Sequence, residues 1–284
     1  MQAYPALFVI AICAGITACS PAPSSSPPTT PVRSEPSARP ASTDLSPAAK
    51  QKIGYKIWQN ESGGKINGLT HWNDGEEFPS MGIGHFIWYP QGFQGRWTES
   101  FPRFIRYAQQ RGSRDIPAWI TSSPHCPWPN KLSFQGDFNG SKLISLRNWL
   151  ANNISLQTDY IIATSRQALP KIMAAAPASQ QARIRANYYK VSTTSNGTYA
   201  LIDYVNFKGD GTNPTEHYKG QGWGLMWVLM EMQNVPSGQA AATEFAAAAK
   251  RCLDRRVRNS PPARGEKRWT LGWHNRCNTY AKPL

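Results

Sequence analysis

Carboxylates are scarce in this chain, 17 Asp and Glu among 284 residues, so those placed for acid–base chemistry stand out. Glu61 lies at the end of a helical pattern, beside Gly63-Gly64, where a ligand can approach the backbone. Trp58, Trp72, Phe86 and Trp88 lie nearby in sequence, and apolar surroundings of that kind would raise its pKa and keep a proton on it. Asp74, thirteen residues later, falls in the turn signal Asn73-Asp74-Gly75, where solvent would keep it ionised. Ser80 lies between these carboxylates and the glycines of Met81-Gly82-Ile83-Gly84-His85, where its hydroxyl could position a water molecule. An acid on one side of a sugar and a carboxylate on the other is the apparatus that breaks a glycosidic bond.

The elements that must hold these residues are legible from pattern. Ser46-Pro47 is a helix start, an N-cap followed by proline in the first turn. Ile53, Ile57 and Trp58 then share one face, and Gly63-Gly64 ends the helix. Residues 69–88 are rich in glycine, aromatic and turn residues and form the one convincing β region. Helical patterns follow over 101–110, 141–151, 156–175, 179–189, 199–207, 222–232, 239–257 and 267–280. Pro170 should kink or end the third of these, and 124–129 reads as a rigid loop. Trp223, Met226, Trp227 and Met230 recur at helical spacing and read as core. No repeat is present, and the expected class is α+β, mainly α-helical with a small β-hairpin.

DGEEFPSMGIGHF, residues 74–86, resembles the hairpin of bacteriophage-type lysozymes and endolysins, in which Asp, then Thr or Ser, then a G-x-G-H run follow a glutamate that closes the first helix. The gap between Glu61 and Asp74 is longer here than in that family. The resemblance implies a lysozyme-like fold, Glu61 as the acid, Asp74 as the second carboxylate, Ser80 as the water-positioning hydroxyl and His85 as a structural residue near the site. Glu61-Ser62 and Tyr204-Val205-Asn206-Phe207 followed by Gly209 are also similar to short signatures of lytic transglycosylases, which use one catalytic glutamate and release an anhydro sugar. That second resemblance implies that Tyr204 and Asn206 line the glycan groove. Trp72, Trp88 and Tyr89, beside the hairpin, are the candidates for stacking on sugars.

The start of the chain places this chemistry. Residues 6–16 are an apolar run too short to span a bilayer but suited to a signal peptide, here 1–18. Ile16-Thr17-Ala18-Cys19 resembles the bacterial lipobox, which implies lipid on Cys19. Residues 19–47 are the anchor and a Pro/Ser/Thr-rich tether that lacks the apolar residues to fold, and 48–284 are the globular domain. Ser20 after the cysteine points to the outer membrane, facing the periplasm, by resemblance to lipoprotein sorting. Arg33, Arg39, Glu35 and Asp44 cancel, so the net charge of +14 belongs to the domain. Its densest stretch is 250–268, and a basic surface in the envelope suits peptidoglycan or anionic head groups, not nucleic acid, unless the stretch is simply a solvated helix face.

Of the five cysteines, Cys13 falls in the signal, Cys252 and Cys277 on neighbouring helices are expected to pair, and Cys126 to stay buried. His71, His125, His217 and His274 show no zinc-binding spacing, and neither a metal nor another cofactor is expected. No nucleophile elbow or phosphate-binding loop is present. The expectation is a monomeric, lipid-anchored glycosidase that cuts peptidoglycan strands. The alternatives are a lytic transglycosylase on the same fold or a protein that binds glycan or an envelope partner without cutting it.

Overall fold

The structure, a computed structural model, describes residues 45–95 and 97–284. All described residues belong to one compact unit, which ends at Leu284. The expected signal peptide, Cys19 and nearly all of the expected tether lie outside the described residues. Leu45, which falls within the expected tether, packs on the core.

Helix α1, Pro47–Ser62, starts where its capping chemistry places it: Ser46 Oγ accepts the Ala49 N–H at 3.2 Å, and Pro47 occupies the first turn. Ile53, Gly54 and Ile57 form its buried face. It stops at Gly63, whose φ of +63° lets the chain reverse while the N–H groups of Gly63 and Gly64 bond back to Gln59 and Trp58. Two residues before that stop sits Glu61.

A 3-10 turn, Ile66–Leu69, leads into three two-residue antiparallel strands, β1 Thr70–His71, β2 Ser80–Met81 and β3 Phe86–Ile87, with β2 in the middle. His71 faces Ser80, and Ser80 faces Ile87 across the next pair. Asn73-Asp74-Gly75 forms part of the β1–β2 turn as expected. The β2–β3 turn needs Gly82, at φ +74°, because a Cβ there would meet Gln157 Oε1 at 2.3 Å. That same oxygen accepts the Ile83 N–H at 2.9 Å, which fastens the hairpin to the helices.

The rest is helical: α2 Phe101–Gln110, α3 Ala118–Thr121, α4 Lys131–Gly136, α5 Ser141–Asn152, α6 Ile154–Arg166, α7 Ala168–Ala175, α8 Ala178–Val191 and α9 Ser195–Lys208. After a small ribbon, β4 His217–Tyr218 and β5 Gln221–Gly222, come α10 Leu225–Glu231, α11 Gln239–Asn259 and α12 Thr270–Tyr280. The class is therefore α+β, mainly helical with a small antiparallel sheet. Helix α6 packs against α1 and α9, and α11 against α12, α10, α8 and α9. Among the described residues no helix is long and apolar enough to cross a membrane.

Three differences from the sequence reading have local causes. The stretch 156–175 is two helices broken at Gln167, and Pro170 sits in the first turn of α7, where its missing N–H removes no helical bond. The ribbon β4–β5 is a second β region. Its strands are too short to show a period, and Lys219 (φ +51°) with Gly220 (φ +73°) makes the tight turn without the usual Asn-Gly. The short helices α3 and α4 flank the expected rigid loop, α4 beginning with a reciprocal Asn130–Ser133 capping box.

The expected Cys252–Cys277 disulfide is absent. Helices α11 and α12 do pack together, but both thiols are free and buried near the Tyr204 hydroxyl. Cys252 Sγ instead accepts a hydrogen bond from Arg255 Nη2 at 3.3 Å. Cys126 is buried as expected, and burial pushes all three thiols up to about 12.

Two measurements test this packing. The folded domain should leave Cys126, Cys252 and Cys277 unreactive to a thiol reagent at neutral pH. Denaturation without reductant should then release three domain thiols, whereas a disulfide would leave one. At the α1–α6 contact, a Cβ on Gly54 would lie 2.0 Å from Thr158 Oγ1, so Gly54→Ala should cost about 1–3 kcal/mol in chemical denaturation. Adding Thr158→Ala should recover most of that loss; a double variant no more stable than the single one would refute the account.

Candidate functional site

The Glu61 side chain is nearly buried, 11 % exposed, and three residues from distant parts of the chain converge on it. Arg276 Nη2, from α12, lies 2.7 Å from Oε1, and Asn206 Nδ2, near the end of α9, donates to the same oxygen at 3.3 Å. His85 Nδ1, from the glycine-rich turn, lies 3.1 Å from Oε2. His85 adopts φ +46°, a conformation unusual for a residue with a side chain, and its Nε2 is buried without a partner.

Behind Glu61 the charge network continues inward. Arg276 grips the fully buried Asp203 with two hydrogen bonds, Nε to Oδ2 at 2.8 Å and Nη2 to Oδ1 at 2.9 Å. Tyr280 OH donates to Asp203 Oδ2 at 2.6 Å. Burial raises the Glu61 carboxyl, but Arg276, His85 and Lys208 together hold it below its ordinary value. This corrects the expectation of an elevated pKa: cations, and not the aromatic residues, dominate around it. Glu61 therefore rests as a carboxylate.

The hairpin supplies a second group of side chains. Ser80 is buried in the central strand opposite His71, whose imidazole is held below its usual value by burial, then by the charges of His85 and Lys131. Asp74 is fully exposed at the β1–β2 turn and ion-pairs with Lys131 of α4. The hydrogen bond and charge of Lys131 lower its carboxyl, with smaller contributions from His71 and Arg268. Arg268 belongs to the 3-10 turn Glu266–Trp269 ahead of α12, so that turn comes near the hairpin tip.

Four residues expected to meet the glycan are buried instead. Trp72 is 3 % exposed, its indole donating to Glu76 O at 2.7 Å and its ring set against Phe134. Trp88 is 1 % exposed, packed on Phe101, Trp119 and Trp128. Tyr204 is fully buried and its hydroxyl donates to Trp223 O at 2.8 Å. Tyr89 is likewise buried, its hydroxyl bonded to Trp97 O. Each indole or phenol has an apolar body and one polar atom that a nearby carbonyl satisfies, which makes burial favourable. His85, expected near the site, and Asn206, expected in the groove, are the ones brought to Glu61.

The basic stretch 250–268 is largely neutralised within the fold. Arg251 pairs with Glu231 and Glu244, Arg255 with Glu231, and Arg256 and Arg264 with Glu266. Arg258, Lys267 and Arg268 remain exposed. Among the described residues no group of three or more His, Cys, Asp and Glu could hold a metal ion. Two surface hollows, lined by residues such as Tyr107 and Arg166 or Ser113 and Asn153, share no residue with the Glu61 cluster.

Sequence reasoning missed Arg276, Asp203, Tyr280, His71 and Lys208. One signal was present: Asp203 is a lone carboxylate inside the apolar run 199–204, and a buried carboxylate needs a cation. Nothing local identified Arg276 as that cation. No family model matches the chain, and neither a curated protein nor a solved structure is similar to it, so the reading of the site rests on its own geometry.

The lowered carboxyls make stability depend on pH with a definite sign. Glu61 and Glu266 both sit below their ordinary value of 4.5, so the unfolded chain binds more protons in that range. Their contribution is complete above about pH 5 and is lost as pH falls through the folded-state values. The melting temperature should drop as pH falls below about 4.5, beyond the smaller loss through pH 6.5 that the lowered His71 imidazole brings, and Glu61→Gln should make the acid drop shallower. Identical acid slopes in both proteins would contradict the ionised Glu61.

Proposed function

We propose that this chain is a lysozyme-like enzyme of the bacterial envelope that cleaves the glycan strands of peptidoglycan, with Glu61 as the group that protonates the leaving oxygen. The observation that carries the reading is the placement of Glu61 at the end of α1 with its carboxylate against His85 of the Gly82–Gly84 turn. The bacteriophage-type lysozyme resemblance associates that same pair, a helix-ending glutamate and a G-x-G-H hairpin. Lipid on Cys19 and the tether would hold the domain beside its substrate, and the domain's positive charge suits an anionic wall polymer.

Glu61 rests ionised, so it must take up a proton before it donates one. A glycan docked over it excludes water, and burial is already the largest influence raising this carboxyl. Asn206 and Arg276 fix the carboxylate so that one oxygen keeps its place as the other works. Ser80 and Asp74 are the hydroxyl and second carboxylate of the hydrolytic version.

The exposure of Asp74 and its pairing with Lys131 favour a second reading, lytic transglycosylation, which needs no second carboxylate and no attacking water. Both versions use Glu61. A non-catalytic glycan-binding role would use neither carboxylate for chemistry.

Muropeptide release from purified sacculi separates these readings. Glu61→Gln keeps the shape of the side chain but cannot donate the proton, and should lower release by roughly a hundredfold or more. Equal release by both proteins would end the catalytic assignment. An anhydro product, one water lighter by mass spectrometry, together with full activity of Asp74→Asn, would select transglycosylation.

A further inference from the structure

Lys208, the last residue of α9, is an unused cation next to the Glu61 network. Its side chain is partly buried between two rings, Nζ lying 4.0 Å from the Phe207 centroid and 3.9 Å from that of Trp273. The same rings hold the neighbouring guanidiniums: Arg276 stands 4.2 Å over Phe207, and Arg256 4.9 Å from Trp273. Beyond Trp273 the stack reaches the surface at Trp269, 5.9 Å away and 37 % exposed, with Arg268 over its outer ring.

The charges in this cluster do not balance. Arg256, Arg264 and Arg276 face Glu266, Asp203 and Glu61, three cations against three carboxylates, and every one of these is ion-paired. Lys208 and, at the exposed end of the stack, Arg268 are further cations; neither ion-pairs with a carboxylate among the described residues, and of the two only Lys208 is partly buried. Aromatic faces attract an ammonium but do not replace hydrogen-bond acceptors for its three N–H groups. Burial, then the like charges of Arg256 and Arg276, pull its pKa well below the usual lysine value. An arriving anion would relieve both effects.

We propose that Lys208 is a carboxylate-binding residue on the wall of the Glu61 site, so that the glycan taken there is an acidic one, with a carboxyl group on or beside the sugar. This rests on the glycan reading above and names its substrate class. Trp269, at the exposed end of the stack, supplies an apolar face for the sugar ring, and Lys208 supplies the charge-assisted bond. In a muramyl glycan the carboxylate is either the lactyl group itself or, where that is amidated, the end of the stem peptide.

The test is direct binding by the intact protein, using calorimetry with three short ligands. These are chitobiose, which has no carboxyl; the N-acetylglucosamine–N-acetylmuramic acid disaccharide with its lactyl carboxylate free; and the same disaccharide bearing a dipeptide stem. Wild type should bind at least one acidic ligand about tenfold or more tighter than chitobiose, and which one it prefers identifies the carboxylate. Lys208→Met keeps the aliphatic stem and should bring that preference within about twofold while leaving chitobiose unchanged. Lys208→Arg should keep part of the preference, and added salt should weaken it in wild type, which serves even if the methionine variant does not fold. No discrimination by wild type, no binding of any of the three ligands, or an equal loss for all three in Lys208→Met, overturns the proposal. Cleavage of sacculi without acidic preference would refute this inference alone. Acidic preference without cleavage would refute the catalytic reading and keep Lys208.

Discussion

Arg276 holds two carboxylates that are remote from each other in sequence, the wholly buried Asp203 and the nearly buried Glu61, and the arrangement of the site depends on that double grip. Its guanidinium is planar and can address two acceptors at fixed angles, which a lysine cannot. One carboxylate anchors it from inside α9, with Tyr280 bonded to the same group. The other is thereby fixed in direction at the end of α1. Taking such charges out of water costs about as much as their attraction returns, so the network contributes little net stability. Loss of one member is a different matter, because it strands the others without water; that asymmetry costs about 3–5 kcal/mol and makes the cluster behave as a unit.

The unit joins separate parts of the fold. Helix α1 brings Glu61, α9 brings Asp203, Asn206 and Lys208, α12 brings Arg276 and Tyr280, and the hairpin brings His85. Helix α6, packed on both α1 and α9, also fastens the hairpin through Gln157. A shift of any of these elements would therefore move the contacts of Glu61. Side chains that belong to rigid, mutually braced elements keep a narrow geometry, the condition that acid–base chemistry and selective binding both impose.

Electrostatics at the site point in one direction. Positive charge surrounds Glu61, lowers it, and leaves Lys208 as a surplus cation between aromatic rings. Elsewhere the basic residues of α11 are paired with Glu231, Glu244 and Glu266, so the count of arginines in that stretch overstates the charge offered to a partner. The proposed glycan chemistry draws on this local surplus more than on the total of the chain.

The sequence by itself determined the local features: the Ser46 cap and Gly63 stop that put Glu61 at a helix end, the turn at Asp74, the tight Gly82 turn that aims His85, and most helix spans. Each is decided within a few residues by backbone preference and capping, so each is written locally. Only the tertiary structure decided which partners Glu61 has, and hence that it rests ionised. It also decided that Trp72, Trp88 and Tyr204 are core, that Cys252 and Cys277 are free thiols, and that Lys208 is left over. Burial and charge neutralisation arise where distant segments meet, Asn206 reaching Glu61 from 145 positions away, and no pattern around either residue encodes that meeting.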